Sequence, residues 1–363
     1  MPVETTVIGS FPKPEYLEIP DWFKTGTSTK SSNATRGYTE ILAKQTKEEK
    51  EKLEVDILRA TKEVILTQHK CGIDVVTDGE VRRENYIHYL CRFIEGIDFE
   101  NLTETSCRDG AYVTHLPTVR SKVSWRGALD VVGEWQKAQD LSPVPVKYTL
   151  PGPMTIIGTL HDAHYLDEEK LAEDLAKVVN MHVRALSAAG CTYIQIDEPV
   201  FARFPQKALD WGIRCLNRCF EGADQQVQKA VHMCCGYPDH LDQEGYKKAD
   251  CESYFKLAAA LDDSVVDAVS LEDAHRHNDL KLLEHFTKTK VILGVVQVAR
   301  SRVETSEEIE ARLNQALEHI SEDRLIAAPD CGLALLPAQV LREKLANLCS
   351  AAKRCGCKRA RLN

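Results

Sequence analysis

The sequence predicts a parallel α/β fold, specifically a (β/α)8 TIM barrel with a mobile N-terminal loop and a small β insertion near residues 96–125. Three observations predict it. Strand-like and helix-like segments alternate along nearly all of the 363 residues, which is the pattern of parallel α/β architecture. Eight strand candidates can be read in that alternation, the number that closes a barrel. Polar residues recur where strands run into their loops, and barrels of this kind carry their active sites at those C-terminal strand ends.

The elements follow in order. Thr5–Gly9 reads as the first strand, and residues 20–40, rich in Thr, Ser and Gly, read as a mobile loop at the barrel mouth. From Lys44 to Lys70, Leu53, Ile57, Ala60 and Val64 fall on one helical stripe that ends at Gly72, a residue suited to a C-cap. Ile73–Thr77 is the second strand. Residues 96–125 lack helical period and alternate in short runs, the signature of the β insertion. Val146–Leu150 is the third strand. A helix from Asp167 to Ala189 aligns Leu171, Leu175, Val178, Val179, His182 and Leu186 and stops at Gly190. The remaining strands are Tyr193–Ile196, Gln228–Met233, Val265–Leu271, Val291–Val298 and Leu325–Ala328.

Size and composition bound the function. A chain of 363 residues accommodates one barrel, which needs about 250 residues plus insertions, so residues 1–363 read as a single domain. Hydrophobic residues at 43% and charged residues at 28% are ordinary for a soluble protein, and no apolar run approaches the roughly 20 residues of a membrane span. A formal charge of −9 gives no reason to expect nucleic acid, and the basic tail 353–363 reads as a frayed end. The N-terminus lacks the features of a secretory signal, and the 13 cysteines are odd in number and scattered. Both point to a cytoplasmic protein with reduced thiols.

The strand ends present Ser10, then Asp78 and Glu80, the Pro-Gly-Pro turn at 151–153, Asp197 and Glu198, His232 and Cys234, Glu272, and finally Asp330 and Cys331. Strand alternation sends His232 and Cys234 one way and Cys235 the other, so the adjacent thiols are not a pair. With Glu272 and Cys331 the set is His, Cys, Cys and carboxylate, suited to tetrahedral Zn2+. Spacing alone serves equally well for a hydrogen-bonded histidine among buried thiols. Two thiolates and a carboxylate around a divalent ion leave about one negative charge, a poor Lewis acid but a good cradle for a sulfur nucleophile.

Several motifs in order then match a family: "IGSFP" at 8–12, "TDGE" at 77–80, "LPGPMT" at 150–155, "YIQIDEP" at 193–199, "HMC" at 232–234, "SLED" at 270–273 and "APDCGL" at 328–333. The chain resembles the catalytic barrel of cobalamin-independent methionine synthases and their short single-barrel relatives. That resemblance implies Zn2+ on His232, Cys234, Glu272 and Cys331. It also implies homocysteine beside the metal, its ammonium held by Glu80 and Asp197 and its carboxylate near Ile8, Gly9 and Ser10. Acidic groups complement an ammonium, and N–H groups and a hydroxyl complement a carboxylate.

The chain departs from the family's pattern on the methyl-donor side. Thr159 stands where full-length synthases place a pterin-stacking tryptophan, Ala202 and Arg203 replace a folate-associated Arg and Glu, and Gln297 and Ala299 fall in the proton-donor stretch. The partners implied are homocysteine and a methyl donor other than folate polyglutamate, with corrinoid carriers among the donors of short relatives. His275 and His277 are the candidates for a leaving-group acid, with His88 a third. Two other readings place the chain as an alkyltransferase to another small thiol, like epoxyalkane–coenzyme M transferases, or as a zinc- or thiol-binding protein without turnover. The uroporphyrinogen decarboxylases share the barrel but use no metal, and the His-x-Cys and "PDCGL" motifs speak against them.

Overall fold

The computed structural model describes residues 2–23, 30–107 and 112–355. Eight parallel strands form one curled sheet: β1 (Glu4–Thr5), β2 (Val76–Thr77), β3 (Val146–Pro151), β4 (Tyr193–Asp197), β5 (Gln228–Met233), β6 (Ala268–Leu271), β7 (Lys290–Val296) and β8 (Leu325–Pro329). Each strand pairs with its sequence neighbour from β2 through β8, and β8 pairs with β1. The two edges of the sheet meet at a parallel bridge between Thr6 and Val75, where Val75 N–H donates to Thr5 O at 3.1 Å.

Helix α2 (Lys47–Cys71) begins at a capping box, Thr46 accepting from Glu49 N–H while the Glu49 side chain returns to Thr46 N–H. It ends at Gly72, whose φ of 96° is the left-handed conformation that spares glycine a steric cost. Ile57, Ala60, Val64 and Ile65 are its buried face. Helix α3 (Glu168–Ala188) is capped by Asp167 and buries Leu171, Leu175, Val178, Val179, His182 and Leu186. These faces join the large core between sheet and helices. A second, smaller apolar layer, Ile8, Ala230, Ala268, Ile292, Ile326 and Ala328, packs separately, beside buried Lys147 and Gln195.

Two regions differ from the sequence reading. Of the expected loop 20–40, residues 24–29 lie outside the described residues, and Lys30–Lys44 is a helix, α1. Its composition is Ser- and Thr-rich, so intrinsic propensity does not announce it. Tertiary contacts hold it instead: Arg92 donates to Thr35 O at 2.7 Å and to Thr39 Oγ1 at 2.6 Å. Strand lengths also differ. The sixth strand is Ala268–Leu271 rather than Val265–Leu271, because Ser264 closes the turn after α4 (Ser253–Asp262), its N–H donating to Leu261 O, and Val265 N–H is taken by Asn217 Oδ1. In the region 96–125, Ile94–Cys107 and Tyr112–Trp125 pair antiparallel. Of the basic tail, residues 356–363 lie outside the described residues. Among the described residues, no helix is long and apolar enough to cross a membrane.

Candidate thiol and metal site

Three strand ends bring their donor atoms together. Register places Asp197 of β4 beside His232 of β5, and His232 beside Ser270 of β6. The His232 ring is held from behind: Nδ1 lies 2.9 Å from Ser270 Oγ, the kind of outer contact that orients a ligating imidazole. Its Nε2 lies 3.4 Å from Cys331 Sγ. Cys234, just past the end of β5, donates its S–H to Glu272 Oε1 at 2.9 Å. The ligand atoms of His232, Cys234 and Cys331 all fall within 4.8 Å of one another.

Charge in the cluster is organised by these contacts. The hydrogen bond shared with Cys234, then the His232 ring, pull the Cys331 thiol down from its usual range against the opposing effect of burial. Cys234 moves the other way, raised by that shared hydrogen bond and by burial. Cys235 stands apart: its Sγ receives a contact from Arg276 at 3.8 Å, and burial pushes its thiol up to about 11. Two thiols and an imidazole within one ion's reach are a donor set that suits zinc.

Glu272 sits at the edge of this set. Its Oε1 accepts from Cys234 and from Cys235 N–H at 3.1 Å, while its Oε2 is paired with Lys248 Nζ at 2.8 Å. The sequence offers Glu272 as a fourth donor, and the tight grouping of donor atoms comprises the other three.

The expected substrate-binding residues lie at the end of β4 and in the segments that follow β1 and β2. Glu80 Oε1 accepts from Thr149 Oγ1 at 2.7 Å, and Arg83 Nη1 donates to both Thr149 O and Thr149 Oγ1 at 2.9 Å. Burial raises Glu80, with Arg83 opposing. Asp197 Oδ1 accepts from Gln195 Nε2 at 2.7 Å, and burial pushes its carboxyl up to about 7, with His232 opposing. Gly9 backs directly onto Glu80: a Cβ there would lie 2.5 Å from Glu80 Oε1. Ile8 O accepts from Gln195 Nε2, and Ser10 O accepts from Leu333 N–H. A Cβ at Gly332 would meet Ser10 Oγ at 2.1 Å, so Ser10 abuts the loop that carries Cys331.

The histidines proposed as acids are placed less favourably. His275 Nε2 accepts from Val298 N–H at 3.0 Å and Ala299 N–H at 3.3 Å, and burial, with Lys248 nearby, lowers its ring to about 3. His277 is exposed beside Asp273, 3.5 Å away. His88 is fully buried between Thr35 Oγ1 and Thr159 O, its ring lowered by burial to about 3. The structure gathers His232, Cys234, Cys331, Glu272 and the Glu80–Asp197 carboxylates, and leaves His277 at the surface.

Residues 3–354 match the family model described as the catalytic domain of cobalamin-independent synthase. The chain belongs to that family. It is a family of methyltransferase enzymes. A methionine synthase of Thermococcus kodakarensis is 30% identical over 347 residues, covering 95% of this chain and 90% of the relative. One of Saccharolobus solfataricus is 28% identical, covering 96% and 93%. A solved structure of a B12-independent methionine synthase from Shewanella sp. W3-18-1, in complex with selenomethionine, superposes with a TM-score of 0.82 at 33% identity, over 100% of this chain and 99% of that one.

Within that family frame, several supporting residues escape sequence reasoning. Glu80 has φ of 54°, a left-handed conformation that costs a non-glycine residue roughly 1–2 kcal/mol and clusters at functional sites. Glu198, read only as a strand-end acid, accepts from Met154 N–H, Thr155 N–H and Thr155 Oγ1, fixing the Pro-Gly-Pro turn. Asp330 accepts from the N–H groups of Asp273, Ala274 and His275 and so sets the loop after β6. Lys248 comes from a long connection whose composition gives no signal. Of the residues that depart from the family's pattern, Gln297 donates to Ala274 O at 2.9 Å, Ala299 and Ala202 are buried, and Arg203 is exposed.

Proposed function

We propose that the chain is a zinc-dependent methyltransferase that moves a methyl group to the thiol of homocysteine, forming methionine, with a donor other than a folate polyglutamate. The reading takes the curled sheet as a closed (β/α)8 barrel and His232, Cys234 and Cys331 as the zinc ligands, with Glu272 beside them. The single observation that supports it most is the grouping of those three donor atoms within 4.8 Å, one strand away from Asp197.

A zinc ion held by such donors would bind an incoming thiolate and keep it ionised at neutral pH. The chain's own residues account for the rest. Ser270 orients the His232 ring, and Lys248 anchors the free end of the Glu272 carboxylate. In this reading Glu80 and Asp197 offer acceptors to an ammonium, and the backbone and hydroxyl at residues 8–10 take the carboxylate of the substrate. This arrangement fixes an amino acid by both ends of its backbone and leaves the side-chain sulfur free to reach the thiol cluster. Alignment of that kind is worth a large part of a displacement barrier. The selenomethionine in the related Shewanella structure is the shape of the product this reading requires.

The test is metal content after purification together with a screen of methyl donors against homocysteine. The expected result is near-stoichiometric zinc and methionine formed from a non-folate donor. Protein that retains no zinc when purified gently, or that requires a folate donor, overturns the reading.

A further inference from the structure

Four aromatic rings from three loops meet beside the thiol cluster. Trp22 and Phe23, after β1, have ring centroids 4.6 Å apart at 52°. Trp22 reaches Tyr86, in the loop after β2, at 5.7 Å and 43°. Phe23 reaches Tyr237, in the loop after β5, at 5.5 Å and 60°. All four rings are half-buried. None of the contacts is a parallel stack that would occupy a face of both rings.

The wall is fastened to the site. Tyr237 follows Cys234 by three positions, and its hydroxyl donates to Gly332 O at 2.9 Å, the carbonyl just after Cys331. Trp22 N–H donates to Glu84 O at 3.2 Å, tying the first loop to the one that carries Glu80. Both tyrosine hydroxyls are raised, first by burial and then by charges that include Cys331 and Cys234.

Ring faces attract weakly hydrated cations, and the anionic groups behind the wall add to that attraction. His275, on the loop after β6, has its Nε2 taken by two backbone N–H groups and so holds no proton there to give. A donor that needs no proton on departure fits such a site.

Building on the thiol-acceptor reading above, we propose that the methyl donor is a methylated sulfonium cation seated against Trp22, Phe23, Tyr86 and Tyr237. The thiolate sulfur forms a bond to the methyl carbon. The methyl–sulfonium bond breaks with its electron pair staying on the departing sulfur, which leaves as a neutral sulfide. The anion and the cation cancel, and no leaving-group proton is required.

The experiment uses zinc-loaded protein, homocysteine and either trimethylsulfonium or methylcobalamin, with tetramethylammonium as an inert probe of binding by calorimetry and tert-butanol as its neutral counterpart. Dimethyl sulfide and methionine should appear together, and tetramethylammonium should bind where tert-butanol does not. Trp22→Leu should lower kcat/KM for the sulfonium and weaken tetramethylammonium binding by about tenfold, whereas Trp22→Phe should keep most of both. Equal losses in the two variants would reduce the wall to packing and overturn the proposal. So would methyl transfer from methylcobalamin with trimethylsulfonium neither bound nor consumed, a result that leaves the thiol-acceptor reading standing. Failure of that reading looks different: homocysteine itself does not bind and no donor methylates it.

Discussion

Cys331 Sγ lies 3.4 Å from His232 Nε2 although 99 residues separate them in the chain. Only the curling of the sheet brings the end of β8 to the end of β5, so the donor set is a property of the fold rather than of any local motif. Cys235, adjacent to Cys234 in sequence, takes its contact from Arg276 instead.

Cys331→Ser is therefore expected to lower metal affinity by at least roughly tenfold, while Cys235→Ser leaves it unchanged. Metal content by plasma emission spectroscopy, after dialysis against a weak chelator, separates the two. Comparable loss in both variants would mean that the two neighbouring thiols are interchangeable.

Glu80→Gln tests the proposed ammonium clamp. The amide keeps the shape and the acceptor oxygen that faces Thr149 but removes the charge. A charge-assisted hydrogen bond is worth about 1.5–3 kcal/mol, so KM for homocysteine should rise roughly ten- to a hundredfold with a smaller change in kcat. A fall in kcat at constant KM would assign the carboxylate to the transition state rather than to substrate binding.

Much of this architecture was legible in the sequence because it depends on short-range periodicity. The strand centres, Gly72 and Gly190 as helix stops, and the polar residues at six of the eight strand ends all follow from local pattern. What the sequence hid depends on contacts far along the chain. Helix α1 is held through Arg92, and the Lys248–Glu272 pair and the Trp22–Tyr86 contact join loops with no shared motif. The left-handed Glu80 was likewise invisible, since glutamate gives no hint of positive φ. The same distance dependence explains why Glu272 could be named as a ligand candidate from its strand end, but its anchoring by Lys248 could not.

Gly152→Ala tests how tightly Glu198 holds the Pro-Gly-Pro turn. The added Cβ would lie 2.2 Å from Glu198 Oε1 and 2.3 Å from its Cδ, and Glu198 cannot retreat because three donors hold its carboxylate. Overpacking of this kind costs about 1–3 kcal/mol, so the urea midpoint should fall with an unchanged m-value. An unchanged midpoint would show that the turn can shift without cost.

The last prediction concerns Lys147, buried inside the curled sheet, with Nζ 2.6 Å from both Val7 O and Gln195 Oε1. Burial, against the opposing charges of Asp197 and Glu80, lowers its ammonium from 10.5 to about 7. A neutral amine still carries two N–H groups, enough for both acceptors. Between pH 7 and 10.5 the unfolded chain then holds a proton at this residue that the native chain has released. The unfolded state binds more protons there, so native stability contributed by Lys147 rises with pH through that window and is lost as pH falls toward 7. Compared with Lys147→Met, which does not titrate, wild-type protein should gain stability at up to about 1.4 kcal/mol per pH unit above pH 7 and show no relative change below it. Parallel urea titrations of both proteins from pH 6 to about 10 read this difference directly. A difference that stays flat across the range would mean that the ammonium survives burial, held by its two short contacts.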